Sequence, residues 1–347
     1  MPRFMNLLLA IALVFVVLVG MHAGATILSA FILAVALAQV MSPTMAGLVR
    51  RGWPSVAAFV AVFALTLLVG LAAAVFVGVS LEQVAKQIPF YAQSIVALVA
   101  EVAPAGMDTA MQFNLTDRLL NLGSSLVATI GELAGMAALT FVFFGFMLWD
   151  SDGISKRLRS AGPRASRVLQ EASVYQGEVR RFLTVTATVG VVVGGLIAAS
   201  LWLVGVRFAV VWGLLFIPLS FIPGIGLTIA AIPPVALAFV QFGMAGGLIV
   251  LAGIFLITTV LQQFLKPRYL GQGLGLSYLA IYISIVVWGA VLGPVGTLLA
   301  VPLTLLVKKL LESFDETRWF AVLISNRPAE PQSPEAVDPE PPGQSDP

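Results

Sequence analysis

The chain has 347 residues, of which 59% are hydrophobic and 10% are charged, and its mean hydropathy is +1.00. Soluble domains carry about 25% charged residues, so this composition excludes a soluble globular protein and predicts an all-α polytopic membrane protein in a lipid bilayer. The net charge of +2 is attributed to basic loops and not to a nucleic-acid-binding surface. The chain has no cysteine, which excludes disulfides, thiolate metal sites and cysteine nucleophiles.

The N-terminal part, residues 1–79, is predicted to form three transmembrane helices. Segments near 5–20 and 25–41 make a slightly short pair joined by a tight turn, since about 20 apolar residues are needed to cross the hydrocarbon core. A third segment covers about 55–79, and Pro54 suits the first position of its helix. The first segment is interpreted as a membrane helix and not as a cleaved signal, because a second apolar segment follows at once.

Residues 80–124 differ from their surroundings, because charged side chains interleave with apolar ones at helical spacing. This pattern predicts amphipathic helices that lie on the membrane or cap the bundle. The segment contains two basic and four acidic residues, as expected for a segment outside the cytoplasm.

A further membrane helix is predicted at 125–149, with Glu132 toward its outer end. A carboxylate within a membrane segment is a functional hypothesis by default, so Glu132 is the candidate for ion coupling. The alternative is that its side chain is shallow enough to reach the lipid headgroups.

Residues 150–181 form the most basic loop, with seven Lys or Arg residues against four acidic ones. Such loops stay in the cytoplasm, and counting crossings from this one places both termini there. Residues 312–347 are therefore predicted to be a cytoplasmic tail. From about residue 326 the tail is rich in proline and acidic residues, a composition typical of disorder.

Residues 182–311 are predicted to form the main transmembrane bundle. The stretch from 179 to 311 contains no Asp, Glu or His. Its apolar segments, together with the N-terminal helices, amount to about eight membrane segments. Those in the bundle cover about 182–204, 207–222, 226–241, 246–265 and 276–311.

Two stretches of this bundle, 207–241 and 276–311, are interrupted by Pro-Gly or Gly-Pro. Each arm has about 17 residues, or roughly 25 Å of helix, which is short of the ~30 Å hydrocarbon core. The short arms favour re-entrant hairpins that enter from opposite faces, as in inverted-repeat transporters. A pair of short full crossings is the alternative, because both arrangements leave the loop charges on the same sides.

The breaks themselves are candidate binding elements. A broken helix leaves backbone amides and carbonyls free to contact a polar solute, so the sequence assigns Pro223, Gly224, Gly226, Gly293 and Pro294 to a substrate path. The alternative is that each break is a structural kink whose backbone groups are satisfied by neighbouring helices.

Two adjacent amides, Gln262 and Gln263, lie near the end of an otherwise apolar segment. Each side chain offers hydrogen-bond donors and an acceptor. They are interpreted either as a helix–helix hydrogen bond within the bundle or as polar groups that line the same path.

Several motifs together carry a family resemblance. They occupy 221–226, 230–234, 267–271, 274–276 and 289–303, followed by Lys308. With the order of segments along the chain, these residues make the protein resemble the autoinducer-2 exporter family of bacterial permeases. The resemblance implies a transporter of the bacterial cytoplasmic membrane, a transport role for residues 182–311 and, as one substrate, the quorum-sensing signal autoinducer-2.

The sequence departs from the family pattern at two places. Relatives often carry an acidic residue and an Asn where Gln262 and Gln263 stand, five and four positions before Pro267. They also often have a His where Ser277 stands. Because both departures remove ionisable groups, the resemblance implies a neutral path that includes Gln262, Gln263, Pro267 and Ser277.

These observations predict a secondary permease that exports or equilibrates a small, polar, uncharged solute. No nucleotide-binding motif, metal cluster or catalytic set is visible in the sequence, so we expect no enzyme activity, no cofactor and no metal. The alternatives are a Na⁺/H⁺-type antiporter, which would depend on Glu132, and a non-transporting membrane scaffold. The Gly190 and Gly194 pair predicts close helix packing and only weakly suggests a homo-oligomer.

Overall fold

The computed structural model describes residues 3–102, 135–150, 163–262, 275–314 and 316–326. The helices of this part are α1 Arg3–Ala23, α2 Ala25–Arg50, α3 Ser55–Val102, α4 Gly135–Trp149, α5 Pro163–Val204, α6 Ala209–Leu219, α7 Gly226–Val260, α8 Tyr278–Leu298, α9 Ala300–Glu312 and α10 Arg318–Ile324. Five described helices contain segments long and apolar enough to cross a membrane, and α1, α4 and α6 contribute shorter apolar helices. The predicted all-helical, polytopic architecture is confirmed.

The N-terminal helices α2, α3 and α4 pack around one apolar cluster. Phe144 is fully buried in it, and its ring stacks on that of Phe63 at 5.8 Å. The rings of Phe59 and Trp149 meet edge to face at 5.0 Å. These contacts place the start of α3 beside the end of α4, so α3 and α4 run antiparallel.

Two helices extend beyond the predicted membrane boundaries. α3 continues past residue 79 to Val102, and α5 begins at Pro163, well before residue 182. A change from apolar to polar side chains does not end a helix, because the hydrogen bonds of a helix join backbone groups and do not depend on side-chain polarity. On the polar part of α3, Lys86 donates to Glu82 at 2.7 Å, a spacing that supports helix. Glu132 lies outside the described residues.

The predicted close packing of Gly190 and Gly194 is confirmed in the contact between α5 and α6. A Cβ atom added at Gly194 would lie 2.5 Å from the carbonyl oxygen of Gly213. Small residues on both helices therefore let the two backbones approach each other closely.

Two helices are interrupted at single glycines with positive φ, and one of these, Gly293, lies at a predicted break. Gly243 has a φ of 69° within α7, and Gly293 has a φ of 67° within α8. An L side chain rarely adopts this φ, which is why glycine occupies both positions. The first break falls between the predicted segments 226–241 and 246–265, and the second falls at the predicted Gly-Pro pair.

The predicted tail, 312–347, begins with an ordered part. Its described part contains α10, and the residues that follow α10 pair with the chain just before α8. The amide of Ser277 donates to the carbonyl of Ile324 at 2.9 Å. This part of the tail is therefore an ordered element of the bundle, while the predicted disorder beyond residue 326 lies outside the described residues.

Candidate functional site

The first hairpin consists of α6 and the part of α7 before Gly243. Its two ends meet, because the backbone amide of Arg207 donates to Oε1 of Gln241 at 3.2 Å. α6 has 11 residues, about 17 Å of helix, which is too short for the ~30 Å hydrocarbon core. The short α6 agrees with the expected re-entrant hairpin, while the meeting of the two ends is equally compatible with a pair of short crossings.

The tip of the first hairpin, residues 219–226, ends inside the bundle against α5. A Cβ atom at Gly190 would lie 3.0 Å from Oγ of Ser220, and the rings of Phe182 and Phe221 meet edge to face at 6.5 Å. Gly190 and Phe182 are about 21 and 33 Å from Val204 along α5, at 1.5 Å per residue. The first hairpin therefore enters the bundle from the Val204 end.

The second hairpin consists of α8 and α9 and has its tip at residues 289–299. The ammonium group of Lys308 donates to the carbonyl of Gly275 at 2.9 Å, which brings the two ends of this hairpin together. Nearer the tip, Nε1 of Trp288 donates to Oγ1 of Thr304 at 3.1 Å. Both arms of the second hairpin therefore lie side by side along their length.

The two hairpins open at opposite ends of α5. The hydroxyl of Tyr175 donates to the carbonyl of Pro302 at 2.9 Å, and α9 runs on from there to Lys308. Tyr175 and Val204 are about 44 Å apart along α5. The first hairpin thus opens beside Val204, while the second opens beyond Tyr175.

The break at Gly293 and Pro294 is occupied by neighbouring side chains. His22 Nδ1 donates to the carbonyl of Val291 at 3.2 Å, and the hydroxyl of Ser29 donates to the carbonyl of Leu292 at 3.1 Å. These bonds satisfy carbonyls that a helix break leaves free. The geometry at this break favours the structural kink over a solute contact, and it gives His22 a partner that the sequence did not predict.

The first tip packs directly against both arms of the second hairpin. Ile222 from the first tip joins Ile285 and Ala300 of the second hairpin in one buried cluster. Gly224 has a φ of 81°, and an added Cβ atom would collide with the hydroxyl of Tyr282. Pro223, Gly224 and Gly226 therefore lie where the hairpins meet.

Two helices begin at this meeting point. α7 starts at Gly226 and α9 starts at Ala300, and neither N-terminus has a side-chain cap. A helix N-terminus carries a partial positive charge and free amides that favour oxygen atoms. The amides of Gly226 and Leu299 already donate to the carbonyls of Ile222 and Val295, at 3.1 and 2.9 Å, so the amides that follow them are the polar groups that these helix starts add to an apolar contact.

One residue at this level, Thr186 of α5, was missed by the sequence reasoning. Its side chain is completely buried, and its hydroxyl has no hydrogen-bond partner within the described part of the chain. The available signal was a hydroxyl on the buried stripe of α5, four residues from both Phe182 and Gly190. An apolar stripe interrupted by one hydroxyl is visible in the sequence but has no meaning until its neighbours are known.

The other predicted path residues lie elsewhere or cannot be placed. The hydroxyl of Ser277 accepts from the amide of Ala280 at 3.2 Å, so Ser277 caps α8 at the opening of the second hairpin. Gln262 is half-buried just after α7. Gln263 and Pro267 lie outside the described residues. Among the residues that are described, no group of His, Asp and Glu could hold a metal ion.

Comparison with known proteins agrees with this architecture. The sequence profile of the AI-2E family transporter matches residues 7–316. The AI-2 transport protein TqsA of Escherichia coli strain K12 is 30% identical over 330 residues, covering 93% of this chain and 96% of TqsA. YhhT of the same strain, also named for a transport role, is 27% identical over 340 residues, covering 95% and 96%. The chain therefore belongs to the AI-2E family of transporters and is a multi-pass membrane protein.

Proposed function

We propose that the chain is a secondary permease that exports or equilibrates a small, polar, uncharged solute. The observation that carries this proposal is the contact between the tip of the first hairpin and the arms of the second, opposed hairpin. Each hairpin opens at a different end of α5, so a solute that passes between the hairpins would move from one opening to the other. Such paired hairpins are a known way of building a transport site from broken helices.

The closed contact between the hairpins explains how leakage is prevented. Ile222, Ile285 and Ala300 are at most 7% exposed, so the described conformation leaves them no room for a solute. Transport then requires the first tip to separate from α8, which exposes the two helix N-termini. Alternating separation toward either opening would carry the solute across.

The charge distribution favours a neutral solute. No Asp, Glu or His occurs between residues 179 and 311, so the described hairpins offer no carboxylate to a cation. Backbone amides and hydroxyls at the tips suit a molecule rich in hydroxyl or carbonyl oxygens. AI-2, which the name of TqsA gives as its cargo, is one candidate.

The proposed location of the chain is a bacterial membrane with both termini on the cytoplasmic side. Basic residues at 150–181 and at Lys308 favour the cytoplasm for those segments, so both termini are placed there. The membrane would be the bacterial cytoplasmic membrane, and the partners would be the bilayer and the solute. The proposal includes a homo-oligomer, which a measurement of the molecular mass in detergent would test.

Flux in proteoliposomes tests the proposal. The purified full chain is reconstituted with a pH-sensitive dye inside, and entry of radiolabelled AI-2 and of erythritol, a small uncharged tetrol, is followed. We expect flux of at least one of these solutes without proton movement. Pro223→Ala and Gly224→Ala should slow it, because both alter the first tip, while Glu132→Gln should leave it unchanged.

Two other outcomes would replace the proposal. If Glu132→Gln abolishes flux and the tip variants behave as wild type, a coupled cation antiporter explains the protein better. If the wild type moves neither solute, and no variant differs from it, the chain is better described as a membrane scaffold.

A further inference from the structure

The hydroxyl of Thr186 is placed where the first hairpin tip meets α5. Phe182 and Gly190, one helical turn to either side on the same face, contact Phe221 and Ser220 of the tip. Residues spaced four apart on a helix share a face. Thr186 therefore points toward the tip, and its side chain is 0% exposed.

The missing partner of Thr186 is unusual for a hydroxyl within a helix of this protein. Elsewhere such hydroxyls donate to the carbonyl four residues earlier, as in Thr188, which donates to Thr184 at 2.8 Å. Thr66, Thr140 and Thr258 do the same. Within the described residues, Oγ1 of Thr186 makes no such bond. Buried polar groups nearly always have hydrogen-bond partners. This hydroxyl is therefore available to a partner that the closed conformation does not provide.

The surroundings of Thr186 define what that partner would be. A threonine hydroxyl can donate one hydrogen bond and accept others. The tip that Thr186 faces leads into α7, whose N-terminus has no side-chain cap. Together they offer backbone donors for an oxygen atom and a hydroxyl that can bond the next oxygen along the molecule. The match is a solute with neighbouring hydroxyl groups and no net charge.

We propose that Thr186 is a recognition residue of the transport path, binding a hydroxyl group of an uncharged polyol once the first tip separates. This inference rests on the proposed permease function. In the closed conformation the unpartnered hydroxyl destabilises the contact between the hairpins. On opening it gains the solute as a partner, so the same atom favours both opening and binding.

The test compares Thr186→Val, Thr186→Ser and the matched control Thr188→Val, all in the full chain. Valine keeps the shape of threonine and removes the hydroxyl, while serine retains it. Erythritol flux gives KM, and unfolding in detergent with and without millimolar erythritol gives Tm. We expect Thr186→Val to raise KM about tenfold and to raise Tm without erythritol. Thr186→Ser and Thr188→Val should stay within about twofold of wild type.

The two assays separate this inference from the proposed function. If millimolar erythritol raises the Tm of wild type and Thr188→Val but not of Thr186→Val, while none of them transports it, the binding role stands and the permease function fails. If all variants transport erythritol with the same KM, the permease function stands and the role of Thr186 is overturned.

Discussion

The ammonium group of Lys308 lies 2.9 Å from the carbonyl oxygen of Gly275. The same carbonyl accepts from the hydroxyl of Ser325 at 3.1 Å, and Lys308 also lies 3.4 Å from that hydroxyl. One carbonyl thus joins both arms of the second hairpin to the segment after α10. This network holds the opening of the second hairpin together. The side chain of Lys308 is only 16% exposed, so water competes little for these hydrogen bonds.

Replacing Lys308 with methionine should destabilise the protein. The change removes a charged donor from the carbonyl of the half-buried Gly275, and such bonds contribute about 1.5–3 kcal/mol. The loss should appear as a lower free energy of unfolding in detergent. Lys309→Met is the control, since Lys309 is 42% exposed and lies 4.0 Å from Glu312; it should change stability by less than about 0.5 kcal/mol. Equal losses in both variants would show that the network does not stabilise the hairpin.

Alanine at Gly224 should impair transport more than alanine at Gly243. Both glycines have positive φ, so both substitutions impose backbone strain of about 1–3 kcal/mol. Only at Gly224 would the new Cβ atom meet another side chain, the hydroxyl of Tyr282; at Gly243 the space is open. Both variants should lose stability, while solute flux should fall mainly in Gly224→Ala.

A double variant checks the cause of that loss. Tyr282→Phe removes the hydroxyl that the Cβ atom at Gly224 would meet. Flux of Gly224→Ala should therefore recover in part when Tyr282→Phe is added. If the double variant is as slow as Gly224→Ala alone, backbone strain and not the contact between the hairpins limits transport.

The approach of α5 to α6 predicts different effects at two adjacent glycines. A Cβ atom at Gly194 would lie 2.5 Å from the backbone carbonyl of Gly213, whereas one at Gly195 would have nothing within 4 Å. Gly194→Ala should lower the free energy of unfolding by about 1–3 kcal/mol, because the helices must move apart. Gly195→Ala should be neutral or stabilise by up to about 1 kcal/mol, the helix propensity difference. The contact would be disproved if Gly194→Ala behaved like its neighbour.

Cysteine labelling can establish the opposed openings of the hairpins. The chain has no cysteine, so Met244→Cys and Phe314→Cys would each carry one thiol, at positions 51% and 61% exposed. In intact cells a membrane-impermeant maleimide should label Met244→Cys. Phe314→Cys should react only after the membrane is opened. Labelling of both from the same side would contradict the arrangement.

The sequence alone determines the membrane class of this protein and the positions of two of its breaks. Spanning backbone must satisfy its hydrogen bonds internally, so an apolar chain of this composition can only be helical. The Pro-Gly and Gly-Pro pairs mark the breaks at Gly224 and Gly293, which both have a positive φ that other residues rarely take. The break at Gly243 carries no such pair and was not predicted. Helix lengths were less predictable: the continuation of α3 beyond residue 79 depends on backbone hydrogen bonds and not on polarity.

Only the tertiary structure decides how the breaks are used. Loop charges do not show which segments meet at the breaks, whereas the structure places Arg207 beside Gln241 and Gly224 beside Tyr282. His22 and Ser29 satisfy the second break from helices more than 260 residues earlier. Thr186 shows the same limit: whether a buried hydroxyl has a partner depends on atoms from distant segments, and neither composition nor spacing records where those atoms lie.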